Sequence, residues 1–353
     1  MGKYKKNLAK QSKPTKYPLV SLCTPTFNRR PFIPFMIKCF EHQTYPKDRI
    51  EWIIIDDGTD PIGDLVSHIP QVKYFFNEEK MVLGKKRNLM HSKCSGDIII
   101  YMDDDDYYPP QRISHAVETL QNNPKYLFAG SSEMHIYYES RNAIYQCGPY
   151  KDNHATAATF AFKKELLKQT SYEDDKAFAE ESKFTKGYTI PLIQLDTQKT
   201  ILVLSHKHNT LNKEKLLENC EQTKTKPSRF VIEDFITDPD LKQFYMKDMN
   251  KVLEDYEPGK REYKPKLLEQ LKQQEELNQK RMLEIKQQQQ QQQQQLIQKQ
   301  LLQQTNNTAI RDEYEKKLAD KNVIINELLR RIKGLSEELA TYKSSQSENI
   351  TNT

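Results

Sequence analysis

The sequence predicts an α/β domain built on a mostly parallel sheet, and three observations predict it. Short β-branched runs alternate with helical stretches from Tyr17 onward. Those runs end in polar or acidic loops rather than in tight hairpin turns. The stretches between them carry apolar residues at helical spacing. Strand–helix alternation of this kind gives a parallel sheet with helices on its faces, and the loops at the strand C-termini then form the ligand crevice. In chain order, Leu19–Thr24 reads as the first strand. Pro31–His42 reads as a helix with Phe32, Phe35, Met36, Cys39 and Phe40 on one side. Trp52–Ile55 is a second strand ending in Asp56-Asp57-Gly58, Val72–Phe76 a third, and Lys85–Lys93 a helix after Gly84. Ile98–Met102 is a fourth strand.

The following part is less regular. Tyr126–Phe128, His135–Tyr138, Ala143–Cys147 and Ala157–Phe162 read as strands, Lys163–Gln169 as a helix and Ile201–Ser205 as a late strand. The expected division is a basic disordered tail over 1–16, the α/β domain over 17–212, a helical extension over 213–264 and a Gln-rich helical, coiled-coil region over 265–353. Phe230, Phe235, Phe244 and Tyr245 are expected to anchor the extension on the domain. Beyond the glutamine run Gln287–Gln295, the residues Ile325, Leu328, Ile332, Leu335, Leu339 and Tyr342 are spaced 3, 4, 3, 4, 3. Leu318 extends this heptad seam, whose Ile and Leu pattern favours a parallel homodimer.

Of the 353 residues only the first two-thirds are rich enough in aromatics to build a core, and the single tryptophan, Trp52, lies there. The net charge of +5 is spread along the chain, without the one-sided basic face of a nucleic-acid binder. Five scattered cysteines (Cys23, Cys39, Cys94, Cys147, Cys220) form no CxxC pair, so reduced thiols are expected. With no apolar leader near the start and no apolar run of roughly 20 residues, the expectation is a cytoplasmic protein without an integral membrane segment.

The most informative stretch is Gly96–Asp106, an apolar run that fires into four consecutive aspartates. Adjacent carboxylates repel one another, so they are costly unless a cation neutralises them. At a sheet's C-terminal edge that cation is usually a divalent metal holding a phosphorylated ligand.

Four pieces fall at strand ends in order: Thr24-Pro25-Thr26-Phe27-Asn28-Arg29, Asp56-Asp57-Gly58-Thr59, Gly84-Lys85-Lys86-Arg87-Asn88, and Asp103 to Asp106. Together, over about residues 17–210, they resemble the inverting family 2 glycosyltransferases of GT-A fold. The resemblance implies transfer of one sugar from a nucleotide-sugar, a UDP-sugar above all, to an acceptor hydroxyl on a glycan or protein. It implies that Thr24, Pro25, Thr26 and Asn28 border the nucleoside and that Asp57 reads the base. Lys85 and Arg87 would face the phosphates, with Asn88 at the place of a family Asn. Asp103 and Asp104 would lie near the ribose and diphosphate, and Asp103 and Asp105 would hold Mn2+ or Mg2+. His206, or its neighbour His208, would be a further metal ligand. The base is expected in Glu180-Glu181, where Glu181 stands at the position of a family Asp; Asp174 and Asp175 are rivals. The chain has no Gln-x-x-Arg-Trp piece, which argues against a processive synthase. Two other readings compete: a sugar nucleotidyltransferase, whose glycine-rich first loop is missing from Thr24–Arg30, and a degenerate domain serving as a coiled-coil scaffold.

Overall fold

The computed structural model describes residues 16–350 except 219, so the expected basic tail lies almost wholly outside the described residues. Seven strands form the main sheet in the order β3-β2-β1-β4-β8-β5-β9. They are β1 (Val20–Thr26), β2 (Ile50–Asp56), β3 (Val72–Phe76), β4 (Ile98–Tyr101), β5 (Phe128–Gly130), β8 (Ala161–Lys163) and β9 (Ile193–Gln194). Only β8 runs against the others in this sheet. A second sheet, β10-β6-β7-β11, combines β6 (Met134–Tyr138), β7 (Ala143–Cys147), β10 (Val203–Ser205) and β11 (Thr225–Pro227). This mostly parallel sheet with helical crossovers is the α/β architecture expected from the sequence.

β1, β2 and β4 are buried on both faces, which is why β2 and β4 read as near-continuous apolar runs rather than alternating ones. Helix α1 (Ile33–Glu41) covers one face with Ile33, Met36, Cys39 and Phe40. A short turn, α2 (Gly63–Val66), follows β2. The helices α3 (Leu83–Lys93) and α4 (Arg112–Asn122) complete the layers. Phe40 stacks on Trp52 at 4.5 Å, and the indole Nε1 donates to Thr24 Oγ1 at 2.9 Å. The register places Thr26 beside Asp56 and Cys23 beside Tyr101, so the loops after β1, β2 and β4 leave the same edge.

Several expected elements shift. The strand foreseen at Tyr126–Phe128 is β5, beginning at Phe128. Ala157–Phe162 divides into a 3-10 turn, Ala157–Thr159, and β8, because Thr159 Oγ1 accepts from Ser131 N–H at 2.8 Å and donates to Thr156 O at 2.7 Å. Of the helix expected over Lys163–Gln169, only Lys164–Lys168 is helical, as a short 3-10 segment whose first N–H bonds Asp97 O at 2.9 Å. The late strand keeps only Val203–Ser205, with Leu202 bridging to Tyr107. Past Lys213, short helices and β11 precede the anchors: Phe244 stacks on Phe35 at 3.5 Å, and Tyr107 Oη donates to Phe235 O at 2.9 Å.

One compact unit runs to Gln273 and a second comprises the residues from Gln274 on. A single helix spans Pro265–Ile350 and includes the glutamine run. Ile325, Leu328, Ile332, Leu335, Leu339 and Tyr342 are all more than half exposed on it. No helix among the described residues is long and apolar enough to cross a membrane.

Candidate active site

The loop after β1 is shaped by Asn28, whose backbone takes the left-handed conformation at φ 52°. Its buried amide donates to Pro258 O at 2.7 Å and accepts from Asp60 N–H at 3.1 Å. A Cβ on Gly58 would lie 2.5 Å from Asn28 Oδ1, so the Asp-Asp-Gly turn needs glycine there. Thr24 is a brace beneath the site, donating to Met102 O at 2.7 Å. Asp56 is structural too, accepting from Gly58 N–H, Ile62 N–H and Tyr74 Oη.

Asp57 has no exposed side-chain surface. Lys86 Nζ lies 2.6 Å away, Lys80 Nζ 3.1 Å away, and Met81 N–H donates at 2.6 Å. The base-reading carboxylate expected from the sequence therefore stands behind two lysines. Burial, with Lys86 nearby, pushes the Lys80 amine down to about 8. Lys80 also lies 3.8 Å from the centroid of the Phe27 ring. Lys85 is exposed, and Lys86 takes the inward position on α3. Asn88 fixes the loop beside α3, bonding Tyr172 through N–H and carbonyl and donating to Asp174 Oδ1 at 2.7 Å.

The four aspartates meet four different surroundings. Asp103 Oδ1 is buried, 3.9 Å from Arg87 Nη2, and has no hydrogen-bond partner. Asp104 is 3.4 Å from Arg29 Nε; burial outweighs that cation and pushes its carboxyl up to about 7. Asp105 accepts from Arg29 Nη2 at 3.1 Å and from His206 Nε2 at 3.0 Å. Burial opposes its charge, but Arg29 and His206 prevail and hold it well below the usual carboxylate range. Asp106 accepts from Leu204 N–H at 2.9 Å, and burial beside Asp105 pushes it far up. The cations that the acid run requires are thus partly supplied by Arg29 and Arg87 of the chain itself.

His206 Nδ1 accepts from His208 N–H at 3.2 Å, which places the ring proton on Nε2, facing Asp105. Burial holds His206 down at about 3. In this tautomer His206 orients Asp105, and Nε2 offers no lone pair to a metal. His208 lies behind, its Nδ1 buried without a partner and its carbonyl accepting from Arg29 at 3.0 Å.

Ala179 adopts φ 52°, a strained value for a residue with a Cβ, and turns the chain into Glu180 and the short helix α5 (Glu181–Phe184). Glu180 is buried and accepts from Arg87 Nε at 2.7 Å. Glu181 is half-buried, and burial together with Glu180 pushes its carboxyl up to about 7.

These elements enclose a cavity of about 300 Å³ lined by Pro25, Thr26, Phe27 and Arg29, by Lys80, Lys86 and Arg87, by Asp103–Asp105, and by Lys264–Leu267. Of the eight buried side-chain polar atoms without a partner among the described residues, four belong to these lining residues: Thr26 Oγ1, Arg29 Nη1, Arg87 Nη1 and Asp103 Oδ1. Buried polar atoms are normally satisfied, so four together in one cleft mark a place for a polar ligand.

Of the residues singled out from the sequence, Pro25, Thr26, Arg87, Asp103, Asp104 and Asp105 converge on this cleft. Thr24, Asn28, Asp57, Glu180 and His206 support it from behind, Glu181 stands outside its lining, and Lys85 points away. Arg29, Lys80, Lys86, Phe27 and Lys264 were not singled out. Lys86 carried a signal, since it lies four residues before buried Met90 on one helix face.

Residues 21–172 match the family described as Glycosyl transferase family 2. Over that stretch the chain is similar to the family 2 glycosyltransferases. It is 26% identical over 195 residues to the probable glycosyltransferase YdaM of Bacillus subtilis, covering 48% of this chain and 46% of that protein. It is 32% identical over 110 residues to the GalNAc(5)-diNAcBac-PP-undecaprenol beta-1,3-glucosyltransferase of Campylobacter jejuni, covering 29% and 33%. Among solved structures, Staphylococcus aureus TarS 1-349 in complex with UDP-GlcNAc aligns with a TM-score of 0.44 at 19% identity, covering 53% of this chain and 58% of that one. The chain thus spans less than half the length of these two curated relatives.

Proposed function

We propose that this chain transfers one sugar, with inversion, from a nucleotide-sugar, expected to be a UDP-sugar, to an acceptor hydroxyl on a glycan or protein. The observation that carries this reading is the convergence of two unsatisfied guanidinium N–H groups, a hydroxyl and a carboxylate oxygen on one cleft beside the acidic run. Arginine donors suit diphosphate oxygens.

A divalent ion fits the donor set. Asp103 Oδ1 is a buried oxygen with no partner, Asp105 is anionic beside it, and both are hard ligands that suit Mn2+ or Mg2+. No three His, Cys, Asp or Glu side chains among the described residues are gathered into a ready-made cage. Asp103 and Asp105 would hold the ion, which when bound supplies charge neutralisation for the departing diphosphate. Arg29 and Arg87 orient that diphosphate. The acceptor oxygen forms its bond to the anomeric carbon as the bond from that carbon to the diphosphate oxygen breaks. Glu181 takes the acceptor's proton.

Glu181 must be ionised to act, and its carboxyl is pushed up to about 7. The rate with respect to free enzyme therefore rises as pH increases through about 7, and the acid limb is absent in Glu181→Gln. A profile flat from about pH 5.5 to 8.5 would remove Glu181 from this role.

The direct test is release of nucleoside diphosphate from a panel of UDP- and GDP-sugars, with and without Mn2+. Metal-dependent release supports the proposal. Pyrophosphate formed from a sugar phosphate and UTP would favour a nucleotidyltransferase, and no turnover of any donor would favour a scaffold. We further propose that the exposed seam Ile325–Tyr342 pairs two copies of the chain. Light scattering should then report a dimer for the parent and a monomer for Ile332→Lys; a monomeric parent sinks the pairing. The five free thiols, Cys23 and Cys94 unlinked at 3.4 Å among them, support a reducing, cytosol-like compartment.

A further inference from the structure

The cleft has one wall that lies outside the family-matched stretch. Lys264, Pro265, Lys266 and Leu267 form it, and the segment that carries them is fastened at four places. Tyr256 Oη donates to Asp60 Oδ2 at 2.8 Å, Asn28 Nδ2 to Pro258 O at 2.7 Å, and Arg261 Nε to Asn209 O at 2.7 Å. Gln270 accepts from Ala177 N–H at 2.9 Å and donates to Asp175 O at 2.6 Å.

Pro265 opens the long helix, a position where its missing N–H costs nothing. Leu268 N–H bonds Lys264 O at 3.1 Å, so the N–H groups of Lys266 and Leu267 come before the first helical bond and have no helical acceptor. A helix start of this kind favours an anion. Two further observations point to a ligand there: Arg29 Nη1 and Arg87 Nη1 line the same cleft from side chains 6% and 3% exposed, and neither atom has a partner. The charges of the cleft cations outside this wall are already committed. Lys80 and Lys86 face Asp57, Arg29 faces Asp104 and Asp105, and Arg87 faces Glu180. Lys264 is in no ion pair among the described residues and instead lies 5.7 Å from the Phe27 ring centroid.

We propose that Lys264 and the helix start at Pro265–Leu267 form the second jaw of a clamp on the donor's diphosphate, opposite Arg29 and Arg87. This rests on the nucleotide-sugar reading above and makes the C-terminal extension part of the donor site. The test is calorimetry on the full chain with Mn2+, comparing UDP and GDP with the matching monophosphates. In Lys264→Gln the diphosphate that the parent prefers should bind about tenfold more weakly, the monophosphate should change less than about threefold, and Lys264→Arg should restore most of the loss. Gln270→Ala, which unfastens the wall while leaving the cleft cations in place, should show the same selective loss. Unchanged diphosphate affinity in both Lys264→Gln and Gln270→Ala overturns the clamp, as does equal weakening of mono- and diphosphate. A parent that binds neither diphosphate sinks the nucleotide-sugar reading itself.

Discussion

Arg87→Met is expected to lower the melting temperature by on the order of 10 °C and to remove donor binding with it. Arg87 is almost wholly buried and holds Glu180 at 2.7 Å and Asp103 at 3.9 Å, its guanidinium resting 4.6 Å from the Tyr101 ring centroid. Removing it strands the buried Glu180 carboxylate beside a partly buried Asp103, and breaking a buried pair from one side costs about 3–5 kcal/mol. Methionine keeps much of the volume, so the loss reports charge rather than a cavity. Adding Glu180→Gln to Arg87→Met should recover part of the stability, because the stranded carboxylate is then gone. Arg87→Lys should keep more stability than binding, since an ammonium cannot reproduce the planar fork. Thermal unfolding decides the matter: a melting point within about 2 °C of the parent would show that Glu180 and Asp103 do not depend on Arg87.

The second large effect belongs to Asp105. Asp105→Asn should lower kcat/KM for donor turnover by on the order of 10²–10³ while the fold persists. Asn keeps the shape but removes the charge that faces Arg29 and His206 and that would hold the divalent ion. His206→Gln should cost less, about tenfold, because His206 acts through Asp105, and it should raise the Mn2+ concentration needed for half-maximal rate. Steady-state kinetics across a Mn2+ series separates the two. An Asp105→Asn enzyme that keeps more than about a tenth of the parent rate contradicts the assignment.

Three of the four pieces, those after β1, β2 and β4, were legible because each couples a buried run to a polar loop, and parallel pairing brings such loops to one edge; Gly84–Asn88, expected at a strand end, lies instead in the first turns of α3. Thr24–Arg29 and Asp103–Asp106 do leave the same edge, and Arg87 does face the acids. What the sequence did not disclose depended on single angular steps or distant contacts. Lys85 and Lys86 differ by one residue, roughly 100° around a helix, and only packing decides which faces inward. Asp57 was recognisable as a carboxylate after a strand, but its burial behind Lys80 and Lys86 comes from the loop before α3 and from the first turn of that helix. His206 was recognisable as a histidine after a strand; its tautomer is fixed by the backbone N–H of His208, which no residue pattern encodes. Lys264 reaches the cleft only because Asn28, Asp60 and Asn209 fasten the preceding segment.

The central claim is that the acidic run, Arg29 and Arg87 together hold a nucleoside diphosphate with a divalent ion. Its most direct measurement is a calorimetric titration of UDP, and separately GDP, into the full chain in the presence and absence of Mn2+. The account predicts saturable binding of at least one of them that tightens when Mn2+ is present and is lost in Asp105→Asn. Equal heats of dilution for both nucleotides, with Mn2+ at millimolar concentration, would contradict it.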